Sequence, residues 1–347
     1  MNGIYRKLRK QAANRNPLVL CVLCLSIIAS GVPGCEEPQR KTTKQSTPIS
    51  PGNLVSQATQ IVVDGLTDPD PGIRVKAIEV VATTGQVRMM PRVQRLLKDS
   101  IVPVRFLATL SCGDLEYTLA KNDMAQLLKD KDENIRIAAA YTMTKLGSLE
   151  YFKVLCNAVA SDNQTVRANA ALLLGKTNRK EALKYLYWTL QRKDSTDKVI
   201  LQAAESIAML GDERIYPKLW TRLISVYADD RVVGIRAMGA LGTEQAKNAL
   251  TTMLSDSVLE VRLAAAEQLG RLKDPIGTRE VLTVLSKDQT TSMDTESHER
   301  VKVLSAMAIG AIGTDNVTKF LPQLLRDESK LVKIAAAKAV LETTTVK

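Results

Sequence analysis

Histidine is the side chain that most often carries acid–base or metal chemistry, and this chain of 347 residues has one, His298. It stands beside Glu299 in the polar run Ser286–Glu299. One imidazole and one carboxylate cannot fill a metal's coordination set. Any Ser/His/Asp or Cys/His relay would have to pass through this same residue. His298 is therefore read as a surface histidine. Five cysteines are present: Cys21, Cys24 and Cys35 lie near the N-terminus, and Cys112 and Cys156 lie beyond it. A Cys112–Cys156 disulfide would join helices of two different classes, and Cys112 reads as a small buried apolar residue. No phosphate-cradling glycine motif occurs. The expectation is no catalytic residue, no cofactor and no metal.

The charged residues differ, because they recur. Cations stand at Arg74, Arg105, Arg136, Arg167, Arg231, Arg262, Lys302 and Lys333. Acids recur in phase at Asp68, Asp99, Asp130, Asp194, Asp256, Glu296 and Asp327, with Ser161 and Ser225 at that place in the fourth and sixth copies. A row of cations could bind phosphates or carboxylates. In-phase acids instead favour a structural ladder, each cation bonding turn acids of its own or the neighbouring repeat.

The ladder steps back to a repeat. The residue before each cation position is 73, 104, 135, 166, 199, 230, 261, 301 or 332, giving separations of 31, 31, 31, 33, 31, 31, 40 and 31. Counting that residue as position one, position five is always small (Ala77, Ala108, Ala139, Ala170, Ala203, Gly234, Ala265, Ser305, Ala336). Position nine is always apolar, from Val81 to Val340. Positions one, five, nine and twelve share one face of a 3.6-period helix. Each repeat thus reads as an outer helix, a turn carrying the acid, and an inner helix. Gly113, Gly147, Gly175, Gly211, Gly242 and Gly313 are expected to end inner helices. The fold class is all-α, a right-handed α-α superhelix of about nine two-helix repeats of 31 residues.

Two stretches carry a family resemblance: Val261-Arg-Leu-Ala-Ala-Ala-Glu-Gln-Leu-Gly270-Arg-Leu-Lys-Asp-Pro275 and Val166-Arg-Ala-Asn-Ala-Ala-Leu-Leu-Leu-Gly175. They resemble HEAT-like repeats of the phycobilisome-lyase type, over roughly Leu54 to the C-terminus. The resemblance implies a HEAT/ARM-type solenoid. It also raises a lyase or chaperone acting on a bilin chromophore. Deoxyhypusine hydroxylase, another HEAT-like enzyme, uses several His-Glu pairs where this chain has His298-Glu299 alone. Such repeats serve many unrelated tasks, so the resemblance speaks for fold more than for activity.

Residues 1–34 read as an export signal. The apolar run Leu18–Ala29 falls short of the ~20 residues that span a bilayer. It leads to Val32-Pro33-Gly34-Cys35, which is similar to a bacterial lipobox with Cys35 as the lipidated residue, although Val32 and Pro33 depart from the usual pattern. An uncleaved signal anchor is the alternative. Either reading places the repeats outside the cytoplasm, on the periplasmic or cell-surface side. Residues 35–53 read as a disordered tether. Residues 54–347 read as the solenoid, with a mobile loop insertion at 286–299 and an exposed C-terminal flank on Val332–Leu341, after which Glu342–Lys347 should fray. Net charge is +11, and five leader cations account for all but +6 of it. That mild excess, mixed with acids, argues against a nucleic-acid groove.

A binding surface is what remains. Positions four, seven and eleven of the inner helices should form an exposed concave stripe, with Leu107, Leu110, Tyr141, Lys145, Leu172 and Lys176 as candidate contacts to a protein or peptide. A second group lies on outer helices: Tyr151, Phe152, Tyr185, Tyr187, Trp188, Tyr216, Trp220 and Tyr227. Tyr187 and Trp188 are adjacent and cannot both face inward, which makes Trp188 a candidate contact. The reading is a membrane-anchored, non-catalytic scaffold binding a partner in its groove. A chromophore lyase and a phosphate or nucleic-acid groove are its rivals.

Overall fold

Small residues at a fixed helical period let helices approach closely, and the chain folds accordingly. The structure, a computed structural model, describes residues 51–287 and 293–345. The signal, Cys35 and most of the tether lie outside those residues. Among the described residues there are helices and turns and no strand.

Outer and inner helices alternate along the chain. The first four repeats contain α1 (Pro51–Gly65) and α2 (Pro71–Thr83), α3 (Met90–Arg95) and α4 (Val102–Asp114), α5 (Lys121–Leu127) and α6 (Glu133–Lys145), and α7 (Phe152–Ala158) and α8 (Gln164–Lys176). Next come α9 (Leu183–Gln191) and α10 (Asp197–Met209), α11 (Tyr216–Leu223) and α12 (Ala228–Leu241), and α13 (Glu244–Met253) and α14 (Leu259–Arg271). The last two repeats hold α15 (Thr278–Lys287) with α16 (Thr295–Ile312), then the short α17 (Asp315–Thr318) and α18 (Leu321–Leu324) with α19 (Lys330–Thr345). An all-α solenoid of two-helix repeats is what the 31-residue period builds.

Several boundaries differ from the sequence reading. The first helix begins at Pro51, within the span read as tether, because proline suits the first turn of a helix. The insertion is partly helical: Asp294 accepts the Ser297 N–H at 2.8 Å and caps α16, so Thr295–Glu299 extends the inner helix and carries His298. Residues 288–292 lie outside the described ones. Glu342 to Thr345 continue α19, where Glu342 pairs with Arg271 at 3.6 Å and Lys338 at 3.9 Å.

Two glycines read as helix ends do something else. Gly147, Gly211, Gly242 and Gly313 do adopt positive φ at inner-helix ends. Gly113 and Gly175 lie inside α4 and α8, at position ten. A Cβ on Gly175 would stand 2.9 Å from Ser206 Cα of the next inner helix, and one on Gly113 would stand 2.7 Å from Tyr141 Cε1. Gly239, Gly270 and Gly310 sit equally tight against the following inner helix. Position ten is thus where consecutive inner helices touch. The left-handed residue falls later in these repeats, at Glu116 and Asn178.

The array closes on itself within the unit Ile49–Lys347. Outer helices of the later repeats wedge between the inner helix before them and the one after, as α13 does between α12 and α14. The first outer helix, α1, has no preceding repeat in sequence; it packs against α19 and α2 instead. A Cβ on Gly65 would stand 3.3 Å from Ile334 Cδ1 and 3.0 Å from Ala77 Cβ. Lys330 Nζ reaches Asp68 Oδ2 at 2.7 Å. The expected exposed flank of Val332–Leu341 is therefore covered, and its apolar residues are buried. An uncovered flank would leave their apolar area in water, at ~25 cal/mol per Å².

Replacing Gly65 with Leu should overfill this seam and destabilise it by about 1–3 kcal/mol. Amide exchange should then rise in Lys330–Thr345 and stay unchanged in α8. Equal exchange in both helices would show that α1 does not hold the end. The hydrogen bond from Lys330 holds the Asp68 carboxyl below its usual value of 3.8. A depressed carboxylate contributes stability above its unfolded value, and that contribution is lost as pH falls through the folded value. Acidification below pH ~4 should loosen α19, and Lys330→Ala should flatten that response.

Candidate docking surface

The periodic charges form a ladder along the turns between outer and inner helices. Each arginine of the ladder first donates to the carbonyl six residues back in its own turn. The Arg74 guanidinium reaches the Asp68 carbonyl at 2.8 Å, Arg105 that of Asp99 at 2.8 Å, and Arg136 that of Asp130 at 2.9 Å. Arg167, Arg231 and Arg262 do the same to Ser161, Ser225 and Asp256. The cation then bridges forward. Arg74 holds Asp99 in a bidentate pair at 2.9 and 3.1 Å, and Arg231 holds Asp256 at 2.7 and 2.9 Å. Arg105 meets Asp130 at 3.5 Å, Arg167 meets Asp194 at 3.1 Å, and Lys302 meets Asp327 at 2.8 Å. The acids also accept the N–H two residues on, as Asp99 does from Ile101 at 2.9 Å. Bonds from Arg192 and Arg167 keep the Asp194 carboxyl far below the ordinary range.

Two rungs depart from the expectation. Glu296 is not a turn acid: it sits exposed in the first turn of α16, 3.9 Å from Arg300. The insertion moves that turn away, and Arg262 uses Glu280 of α15 at 2.9 Å. At the seam, Lys330 fills the place expected of Lys333, which is half-buried on α19.

The apolar part of the concave stripe is not exposed. Leu107, Leu110, Tyr141 and Leu172 are between 1% and 3% accessible. Tyr141 shows why: it lies on Gly113 of the preceding inner helix, and its hydroxyl donates to Asp114 Oδ1 at 2.7 Å. Burial next to that carboxylate pushes its phenol well above the ordinary value. Lys176 pairs with Asp114 at 3.1 Å and Lys145 with Glu116 at 3.3 Å. Charges elsewhere on this side are matched as well, Arg236 with Glu205 at 3.8 Å and Arg271 with Glu267 at 2.8 Å. Cys112 and Cys156 are free and buried, and burial pushes the Cys112 thiol up to about 12. Among the described residues, no group of three His, Cys, Asp or Glu side chains could hold a metal ion.

Both tryptophans are exposed, on the outer helices of repeats five and six. Trp188 is 45% and Trp220 38% accessible. The Arg192 guanidinium stacks over the Trp188 ring at 4.7 Å and is pinned by Asp194. Arg214 lies over Tyr187 at 5.1 Å and is pinned by Asp212. Arg179 covers Phe152 at 5.1 Å, and Tyr216 and Trp220 stack at 6.4 Å. Lys184, Tyr187, Gln191 and Arg214 line a shallow groove of about 610 Å³. Aromatic and arginine side chains already held in place are what interface hot spots are made of. The sequence singled out Trp188; it gave no sign of the groove, which needs Arg214 from the next repeat.

Helical pairs stacked through a period of 31, with cation–acid rungs between turns, define a helical-repeat protein. Residues 59–144 and 152–233 match the family of HEAT repeats, and residues 247–274 match a single HEAT repeat. The chain belongs to the HEAT-repeat family. No curated protein sequence matches it. Among solved structures it is similar to human deoxyhypusine hydroxylase in complex with glycerol, at 16% identity over 76% of this chain and 99% of that one, with a TM-score of 0.36. The complex of CpcE and CpcF of phycocyanin lyase from Nostoc sp. PCC7120 is 16% identical over 73% and 94%, with a TM-score of 0.41. Importin beta is 13% identical over 82% and 46%, with a TM-score of 0.34. These likenesses concern the fold alone.

Asp99→Ala should lower stability by about 1–3 kcal/mol, because it strands Arg74 and removes a turn acceptor. Asp130→Ala, with one longer contact, should cost about 0.5–2 kcal/mol. Thermal melts that place both variants at wild type would show that the ladder carries no stability.

Proposed function

We propose that this chain is a non-catalytic HEAT-repeat scaffold, lipid-anchored at Cys35 outside the cytoplasm, that docks a protein partner on the outer helices of repeats four to six. The observation that carries the reading is Trp188, exposed beneath a stacked Arg192 and beside the Tyr187–Arg214 groove. A large aromatic in water is costly unless something covers it. The buried, internally paired inner side moves the expected surface from the concave stripe to the outside. Lipidation of Cys35 rests on the sequence alone: a basic n-region, a short apolar run and Val32-Pro33-Gly34-Cys35. No particular observation favours a chromophore lyase or a nucleic-acid groove.

A photo-crosslinking amino acid at position 188 or 191, in cells expressing the full chain, should yield a discrete protein adduct. The same probe at Leu110 or Leu172 should yield none. Adducts at the inner positions with none at 188 and 191 would return the partner to the concave side and end this proposal. Intact mass of the N-terminal peptide tests the anchor separately.

A further inference from the structure

A repeat protein supplies its own controls, because each turn can be compared with its copies. Between outer and inner helices, the residues flanking the ladder position are polar in most copies. They are Lys98 and Ser100, Lys129 and Lys131, and Lys193 and Ser195 in the second, third and fifth repeats. The sixth repeat has Ile224 and Val226 there, followed by Tyr227. These three are 63%, 86% and 70% accessible. The fold does not require them, since other turns close without them. They add nothing to local stability: Tyr227 occupies the N-cap of α12 with no side-chain cap bond, as Ile101, Thr196 and Val258 do at α4, α10 and α14, whereas Asp70, Asp132 and Asn163 cap their helices. Giving up a cap costs ~1 kcal/mol.

We infer that the turn Ile224–Tyr227, backed by Trp220, is a tip that enters a phospholipid bilayer. Two aliphatic side chains protrude at the apex. Trp220 lies one helical turn behind Ile224, and Tyr227 flanks Val226, so amphipathic rings stand where the headgroup boundary would fall. Exposed Lys218 and the neighbouring turn's exposed Lys193 supply long cations whose stems can lie along acyl chains while their heads meet phosphates, whereas Arg222 pairs with Asp230 and Arg192 with Asp194. A bilayer needs no matching shape, whereas a protruding apex offers a protein little enclosed area. The inference rests on the proposed anchor at Cys35. Only residues 36–50 separate Cys35 from Pro51, so an acylated Cys35 would keep Pro51, where the repeats begin, within about 55 Å of lipid. Anchor and tip together would fix the orientation of the repeats and leave the Trp188 face free for its partner.

Trp188 and Trp220 are the chain's two tryptophans, so Trp188→Phe leaves one reporter beside the tip. The full-length protein carrying Trp188→Phe is reconstituted into phosphatidylethanolamine–phosphatidylglycerol vesicles, with or without brominated acyl chains. Trp220 emission should be at least twofold lower in the brominated vesicles. Adding Ile224→Lys and Val226→Ser, the fifth repeat's own residues, should restore emission while the protein still sediments with the vesicles and melts as before. Sedimentation with no quenching of Trp220 would overturn the tip and leave the anchor standing. Failure to sediment would overturn both. A photo-crosslinker at position 226 that captures protein and no lipid would also overturn the tip.

Discussion

The contact on which the structure depends is the approach of one inner helix to the next at position ten. Glycine stands there in five repeats, and its missing Cβ brings the following helix to within van der Waals contact of backbone. Interaxial distance falls when small residues sit at the crossing. Repeated around the array, that spacing on the inner side, set against outer helices wedged between inner ones, produces curvature. Curvature sustained through nine repeats brings α19 round to α1. The same contact explains why the concave stripe is buried: each position-seven side chain has a neighbouring helix beside it, as Tyr141 has Gly113.

The ladder fixes what glycine spacing leaves free. Close packing sets the distance between helices and tolerates sliding along their axes. A guanidinium that bonds its own turn carbonyl and the next repeat's carboxylate tolerates none, because arginine's planar fork demands both partners in place. Arg167, fully buried, does this between Ser161 and Asp194 even where its own turn lacks an acid. At the seam the geometry changes, and a lysine three residues earlier serves, since Lys330 needs only to place a point charge by Asp68. Burial raises the Glu205 carboxyl above its usual value although Arg236 opposes that shift. Inner-side charges of this kind are matched within the array and hold little in reserve for a ligand.

Much of this was legible from spacing. Period, helix pairing, the small fifth position and the partners of Arg74 and Arg105 follow from residues that repeat in phase. What was illegible depends on contacts between repeats far apart in sequence. Nothing near Gly65 announces Ile334, and a helix read alone leaves Leu107 and Leu172 on an outward stripe. Reading Gly113 and Gly175 as helix ends hid the position-ten contact; their recurrence with Gly239, Gly270 and Gly310 at that position was the available signal. The groove beside Trp188 needed Arg214 from the following repeat, and cross-repeat stacking has no periodic signature.

Closure also decides where function can sit. An open solenoid offers a concave groove and two ends. A closed one has used its ends on each other, and here the apolar residues of its inner side are buried and many of its charges are paired. What remains are the outer helices and the two ridges of turns. On those surfaces a residue that follows the repeat is explained by the repeat, so departures from it carry the information. Repeats five and six carry several: a two-residue insertion near Lys193–Asp197, an aromatic pair at Tyr187–Trp188, a serine for the ladder acid at Ser225 as at Ser161, and an apolar apex around Ser225. The apex gives up the polar flanks that most other turns keep. Exposed apolar flanks on both sides of the ladder position occur in no other described turn, so contact with something outside the chain explains them better than folding, because the other turns close without them.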